Sequence, residues 1–171
     1  GLVVDPANLV QTHLNLLLED GKIVAVTEEE PEADRVIDAA GKVVAPGFID
    51  IHMHEDPVKD DKIQFCIFDA MLRMGVTTAV GGNCGINVYD PVKYLDLLER
   101  DGAPVNVMMF AGHQYYREAA GALDKYSPVT EEQRKTMKKG LEEALEAGCV
   151  GISYGLRYVP GTGREEFLDT A

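Results

Sequence analysis

Phe48-Ile49-Asp50-Ile51-His52-Met53-His54 is the stretch on which the fold turns. An apolar run opened by Ala45-Pro46-Gly47 reads as a buried strand, and two histidines spaced i, i+2 leave its C-terminal end on one face. Parallel α/β sheets and barrels place their sites at that end. Two imidazoles converging there make half of a transition-metal site. The same pattern also fits two exposed polar residues leaving a strand.

Downstream of His54 the chain alternates. The pattern predicts a helix over Ile63 to Arg73 ended by Gly75, a strand over Val76 to Val80, and a helix over Val92 to Arg100 after Asp90-Pro91. A third strand follows over Val105 to Phe110, then a loop over residues 111–129. Thr130 with Gln133 has capping-box spacing for a helix from Glu131 to Ala147, and Val150 to Ser153 is a fourth strand. Unbroken apolar strands separated by amphipathic helices predict a parallel sheet covered by helices. Upstream, residues 1–45 read as short β segments. They are Gly1 to Val4, Thr12 to Leu18, Lys22 to Val26, Val36-Ile37-Asp38 and Lys42 to Val44, with Asp20-Gly21 as a hairpin turn.

The chain has 171 residues, 46% of them hydrophobic and 26% charged, the composition of an ordinary globular protein. A complete (β/α)8 barrel takes about 200 to 250 residues or more, so the length accommodates only part of one. Sixteen lysines and arginines against 29 acidic residues leave a net charge of -13, which excludes nucleic acid or an anionic membrane as an evident partner. No apolar run reaches the roughly 18 residues of a spanning helix. Three cysteines are too few and too scattered for a disulfide framework, so a cytoplasmic setting is expected.

Other candidates fall at the strand ends. Gly81-Gly82-Asn83-Cys84-Gly85 follows the second strand, and its glycines allow a tight turn that brings Cys84 within reach of a metal held by His52 and His54. His113 follows the third strand. It is open to several roles: ligand, donor to a ligand, substrate contact or structural hydrogen-bonder. After the fourth strand, Tyr154, Arg157 and Tyr158 offer donors suited to a carboxylate. Cys66 and Cys149 read as small core residues.

Taken together, these residues resemble a known family. Val44 to His54 resembles the first barrel strand of the amidohydrolase superfamily, and the segment before it resembles part of that superfamily's small β-sandwich domain. Gly82-Asn83-Cys84-Gly85, Gly112-His113 and Gly151-Ile152-Ser153-Tyr154-Gly155-Leu156-Arg157-Tyr158-Val159-Pro160-Gly161 are similar to blocks of the N-acyl-D-amino-acid deacylases, or D-aminoacylases. The resemblance implies an α/β fold. Residues 46–171 would form the first half of a (β/α)8 TIM-type metal-dependent hydrolase barrel, strands 1–4 with their helices, preceded by part of a small β-sandwich domain over residues 1–45. It implies one or two zinc ions, with His52 and His54 at one position and Cys84 as an unusual ligand. Tyr158 would contact the substrate's α-carboxylate; Arg157 and His113, read from their own chemistry and position, are further candidate substrate contacts.

The implied activity is hydrolysis of the amide bond of N-acyl-D-amino acids by a zinc-activated water, releasing a carboxylic acid and a D-amino acid. Two further histidine ligands and an acid/base aspartate are expected beyond residue 171, so the chain reads as an N-terminal fragment, inactive alone. Hydantoinase-like relatives carry a metal-bridging lysine after the fourth strand. No lysine occurs between Gly151 and Ala171, which favours the cysteine-type centre. Tyr154 departs from the family pattern, where a smaller residue is expected. The competing readings are a cyclic-amide hydrolase of the hydantoinase or dihydroorotase kind and a non-catalytic amidohydrolase-like scaffold.

Overall fold

The computed structural model describes residues 1–124 and 127–155. The chain divides into two compact units, Gly1–Gly47 and Phe48–Ala171.

In the first unit, β1 (Leu2–Asp5) pairs antiparallel with β2 (Val10–His13), with Leu2 opposite His13 and Asp5 opposite Val10. The connecting turn is held by the Asp5 carboxylate, which accepts from the Ala7 amide and the Asn8 side chain. β3 (Asn15–Glu19) and β4 (Lys22–Thr27) form a separate hairpin. Its turn residues Asp20 and Gly21 both take positive φ, 49° and 73°. That geometry matches the right-handed twist of the flanking strands. β5 (Val43–Val44) lies parallel to β1 on its other side. Two expectations change here. The run Thr12 to Leu18 breaks at Leu14 into two strands that join different sheets. Val36 and Ile37, read as a strand, belong to none and are 80% and 77% exposed.

In the second unit four parallel strands lie side by side, each next to its neighbour in the sequence. They are β6 (Phe48–Asp50), β9 (Val76–Gly81), β10 (Asn106–Gly112) and β11 (Gly151–Ser153). Consecutive βα units therefore pair with their sequence neighbours. An open doubly wound sheet would reverse direction at a switch point, whereas a (β/α)8 barrel does not. The sheet is half of such a barrel.

α1 (Ile67–Arg73) packs on β9, and α2 (Pro91–Asp101) and α4 (Glu131–Glu146) pack on β10. Phe68 and Met71 of α1, Tyr94 and Leu97 of α2, and Met137 and Ala144 of α4 are buried with Ala79 and Met109 of the sheet. Full burial of a side chain like Phe68 contributes about 2–3 kcal/mol. Thr130 and Gln133 form the reciprocal capping box their spacing predicts. Asp90, with Pro91 behind it, accepts from the Lys93 amide to start α2.

Two elements differ from expectation. The helix placed over Ile63 to Arg73 begins only at Ile67. Ahead of it, β7 (Val58–Lys59) and β8 (Lys62–Ile63) make a small hairpin, because Asp60 and Asp61 turn the chain with φ of 51° and 56°. The segment read as loop after the third strand holds a short helix, α3 (His113–Ala119). Its buried positions are His113, Tyr116 and Arg117, which have the i, i+3, i+4 spacing of a helix face without aliphatic side chains to reveal it. Among the described residues no helix is long and apolar enough to cross a membrane.

Candidate metal centre

β6 stops at Asp50, so the two histidines stand just past the strand rather than on it. Asp50 turns the chain there, its carboxylate accepting from the His52 amide at 3.0 Å. The alternation of faces survives the strand's end. Met53 is buried, with its amide donating to the Val80 carbonyl, while His52 and His54 on either side are exposed. Their rings stand nearly perpendicular, 6.2 Å apart.

Cys84 reaches them from the loop after β9. It occupies a single 3-10 turn, Asn83–Gly85, and itself adopts a left-handed conformation at φ 61° and ψ 18°. For a residue with a Cβ that conformation costs about 1–2 kcal/mol, so the surroundings must hold it. Gly82 and Gly85 flank it at φ 70° and 78°. A Cβ on Gly82 would lie 2.0 Å from the Phe110 carbonyl oxygen, which excludes any other residue there. The result is a Cys84 Sγ 3.2 Å from His52 Nε2. One donor atom each from His52, His54 and Cys84 lies within 4.8 Å of the others.

A tetrahedral zinc with ligand bonds of about 2.0–2.3 Å sets its donors roughly 3.3–3.6 Å apart. The His52–Cys84 spacing of 3.2 Å falls within about 0.1–0.4 Å of that range, and the donor set of two imidazoles and a cysteine sulfur is chemically apt for zinc. The residues therefore fit the ion. Among the described residues they leave room for further ligands, since structural and catalytic zinc sites alike take four.

Several polar residues that sequence reasoning passed over shape this region. Asn83 donates to the carbonyls of Val80 at 2.7 Å and Met53 at 3.3 Å, joining the cysteine turn to the residue between the two histidines. Asn87 donates to Glu55 Oε1 at 2.9 Å and to the Phe110 carbonyl, and accepts from the Gly112 amide at 2.7 Å. It ties the loops after β6 and β9 to the end of β10. Glu55, beside His54, is buried, and burial pushes its carboxyl above the ordinary range against the lowering effect of the Asn87 bond. Asp56 is wholly buried and accepts from the amides of Cys66, Ile67 and Phe68, capping α1 from ten or more residues upstream. None of these contacts has a periodic sequence signal, and all but the Asn83–Val80 bond join segments ten or more residues apart.

His113 is not in the donor group. It is 1% exposed, both ring nitrogens lack a hydrogen-bond partner among the described residues, and its ring lies 5.1 Å from that of half-buried Tyr154. Burial, with the nearby Arg117 charge, lowers its pKa to about 4, so the ring is neutral at physiological pH. Arg157 and Tyr158, expected to contact substrate, lie outside the described residues. Cys149 is a buried core residue, and burial raises its thiol to about 11. Cys66 is exposed at the start of α1, where its Sγ donates to Asp56, so the core position expected for it is not observed.

Comparison with known proteins adds an independent line. The model of the amidohydrolase family matches residues 35–159. The N-acyl-D-glutamate deacylase of Alcaligenes xylosoxydans xylosoxydans is 33% identical, over 94% of this chain and 37% of that protein. Among solved structures, N-acyl-D-glutamate deacylase from Bordetella bronchiseptica, complexed with zinc and a phosphonate mimic of the tetrahedral intermediate, superposes with a TM-score of 0.82. It is 31% identical, with 100% of this chain and 40% of that one covered. A D-aminoacylase described as defining a novel subset of amidohydrolases gives a TM-score of 0.85 at 29% identity, covering 99% of this chain and 40% of that one. The chain thus spans about two fifths of the length of these relatives.

Proposed function

Because the chain belongs to the amidohydrolase family, we propose that the protein hydrolyses the amide bond of N-acyl-D-amino acids, with His52, His54 and Cys84 holding zinc. The observation that carries this reading is the convergence of those three donors, within 4.8 Å, from the ends of two adjacent parallel strands. The similarity to an N-acyl-D-glutamate deacylase supports the substrate class.

When bound, zinc would lower the pKa of a water to about 7 and polarise the scissile carbonyl. The chain's own residues would do the rest of the positioning. Cys84 and His52 present a thiolate and an imidazole on one side of the site, and Asn83 and Asn87 hold their loops in register. His113, neutral and with no hydrogen-bond partner among the described residues, is read as a contact for a polar group of the substrate. Arg157 and Tyr158 are assigned to the α-carboxylate. This reading places the acid/base aspartate and the remaining ligands beyond residue 171. The net charge of -13 repels an anionic substrate at long range, but that repulsion is screened beyond about 8 Å at physiological ionic strength. Local donors then dominate inside the site.

Paired assays of the full-length protein on N-acetyl-D-amino acids and on hydantoins or dihydroorotate test the proposal. Turnover of the acyl-D-amino acids alone, abolished by chelation and restored by zinc, is expected. Turnover of the cyclic amides instead would transfer the protein to the hydantoinase or dihydroorotase kind. A metal-free protein inactive with added zinc would be a scaffold.

A further inference from the structure

Cys84 keeps a left-handed backbone that its own side chain disfavours, and the structure shows what holds it there. The Ser153 hydroxyl accepts from the Gly85 amide at 2.9 Å and donates to the Gly82 carbonyl. One oxygen therefore clamps both sides of the cysteine turn, two residues before Cys84 and one after it. Ser153 closes β11, some 70 residues later in the chain, and β11 pairs with β10 rather than with the strand that bears the turn. On its opposite side the same turn is tied by Asn83 to the carbonyl of Met53, between the two histidines. Ser153 and Asn83 thus act from opposite directions on the four residues that carry the thiolate.

We propose that Ser153 is a positioning residue for the metal centre. Its hydroxyl sets the separation of the Cys84 thiolate from His52, and through it the affinity and geometry of a bound divalent ion, although β11 supplies none of the three donors. The inference rests on the reading of His52, His54 and Cys84 as ligands. Without the hydroxyl, the Gly82 carbonyl and Gly85 amide lose a shared partner, the turn relaxes toward ordinary backbone angles, and the sulfur leaves the imidazole. Groups that orient metal ligands from behind typically change metal affinity about 10- to 100-fold when removed.

Threonine and valine give a matched pair at position 153, alike in shape and different only in the hydroxyl. The full-length protein is loaded with Co2+, and its affinity is read together with the thiolate-to-cobalt charge-transfer band, a signature that a purely structural role would not move. Ser153→Thr should keep the band and the affinity. Ser153→Val should bind Co2+ at least about tenfold more weakly, with the band weakened or shifted, while its far-ultraviolet circular dichroism stays native. Wild-type affinity and band in Ser153→Val would overturn the proposal. So would loss of the native fold in Ser153→Val with Ser153→Thr intact, since the hydroxyl would then serve the fold rather than the thiolate. Cys84→Ala separates the two layers of the argument. If it retains the band, the ligand assignment itself fails; if it loses the band while Ser153→Val keeps it, only the role of Ser153 falls.

Discussion

His113 shows how a single buried side chain can link folding to pH. Its imidazole is 1% exposed and without hydrogen-bond partners among the described residues, and its pKa falls from 6.5 to about 4. A histidine with a depressed folded pKa binds its proton more readily when unfolded. Its contribution to stability is therefore complete above pH 6.5 and is lost as the pH falls from 6.5 toward 4. The shift corresponds to at most about 3 kcal/mol. Glu55 works in the opposite sense, since burial raises its carboxyl and protonation then favours the fold. Urea denaturation of wild type and His113→Phe at pH 7 and pH 5 isolates the histidine: the variant should lose less stability on acidification. Equal losses in both would remove His113 as the source. At Cys84 the expected result of Cys84→Ala is a parallel fall in zinc content and activity, read by metal analysis and assay; unchanged zinc would sink the ligand assignment. Cys84 was legible because glycines on both sides of a cysteine at a strand end form a recognisable pattern. Ser153 and Asn87 were not, because a serine or asparagine becomes meaningful only through the atoms that tertiary structure brings to it.

The short elements depend on contacts that local pattern does not contain. α1 is seven residues long, and isolated helices of that length are unstable in water. Its start is fixed by Asp56, whose carboxylate takes the amides of Cys66, Ile67 and Phe68 in a fully buried position. Cys66, the residue at the cap position itself, offers no side-chain bond to the helix. This explains why the helix looked longer in sequence: the apolar run begins at Ile63, but the cap lies outside the run. α4, by contrast, carries its own capping box and was legible from Thr130 and Gln133 alone. Asp56→Ala should cost about 2 kcal/mol or more, because three amide donors lose a charged acceptor. Asp56→Asn, which keeps one carbonyl oxygen, should cost less. Denaturant midpoints of the two variants check this, and an Asp56→Ala variant within about 0.5 kcal/mol of wild type would refute it.

At the scale of the whole molecule, the order of the strands and the two fifths of its relatives' length that the chain covers point the same way. Strand alternation made the parallel sheet legible, and the four strands pair in sequence order as consecutive strands of a barrel do. What a linear pattern could not show is how much apolar surface the four-stranded sheet leaves uncovered at its ends. Phe48, Ile49 and Ile51, in and just after the edge strand β6, are 69%, 65% and 73% exposed, and Val150 and Ile152 at the other edge are 47% and 36% exposed. Burying what remains exposed of these three side chains is worth about 3–6 kcal/mol, against a total stability of about 5–15 kcal/mol for a typical domain. A polypeptide of residues 1–171 by itself therefore gains from any contact that covers these edges. The sheet edges, unpaired among the described residues, add backbone donors and acceptors to the same surface. The charge of -13 opposes self-association, but only within a screening length of about 8 Å at physiological ionic strength. The 171-residue polypeptide should thus associate increasingly as salt is raised and show no deacylase activity, whereas the full-length protein should not respond in this way. Light scattering across a salt series, with activity measured on the same samples, tests this; a monomeric, cooperatively folded and active 171-residue chain would overturn it.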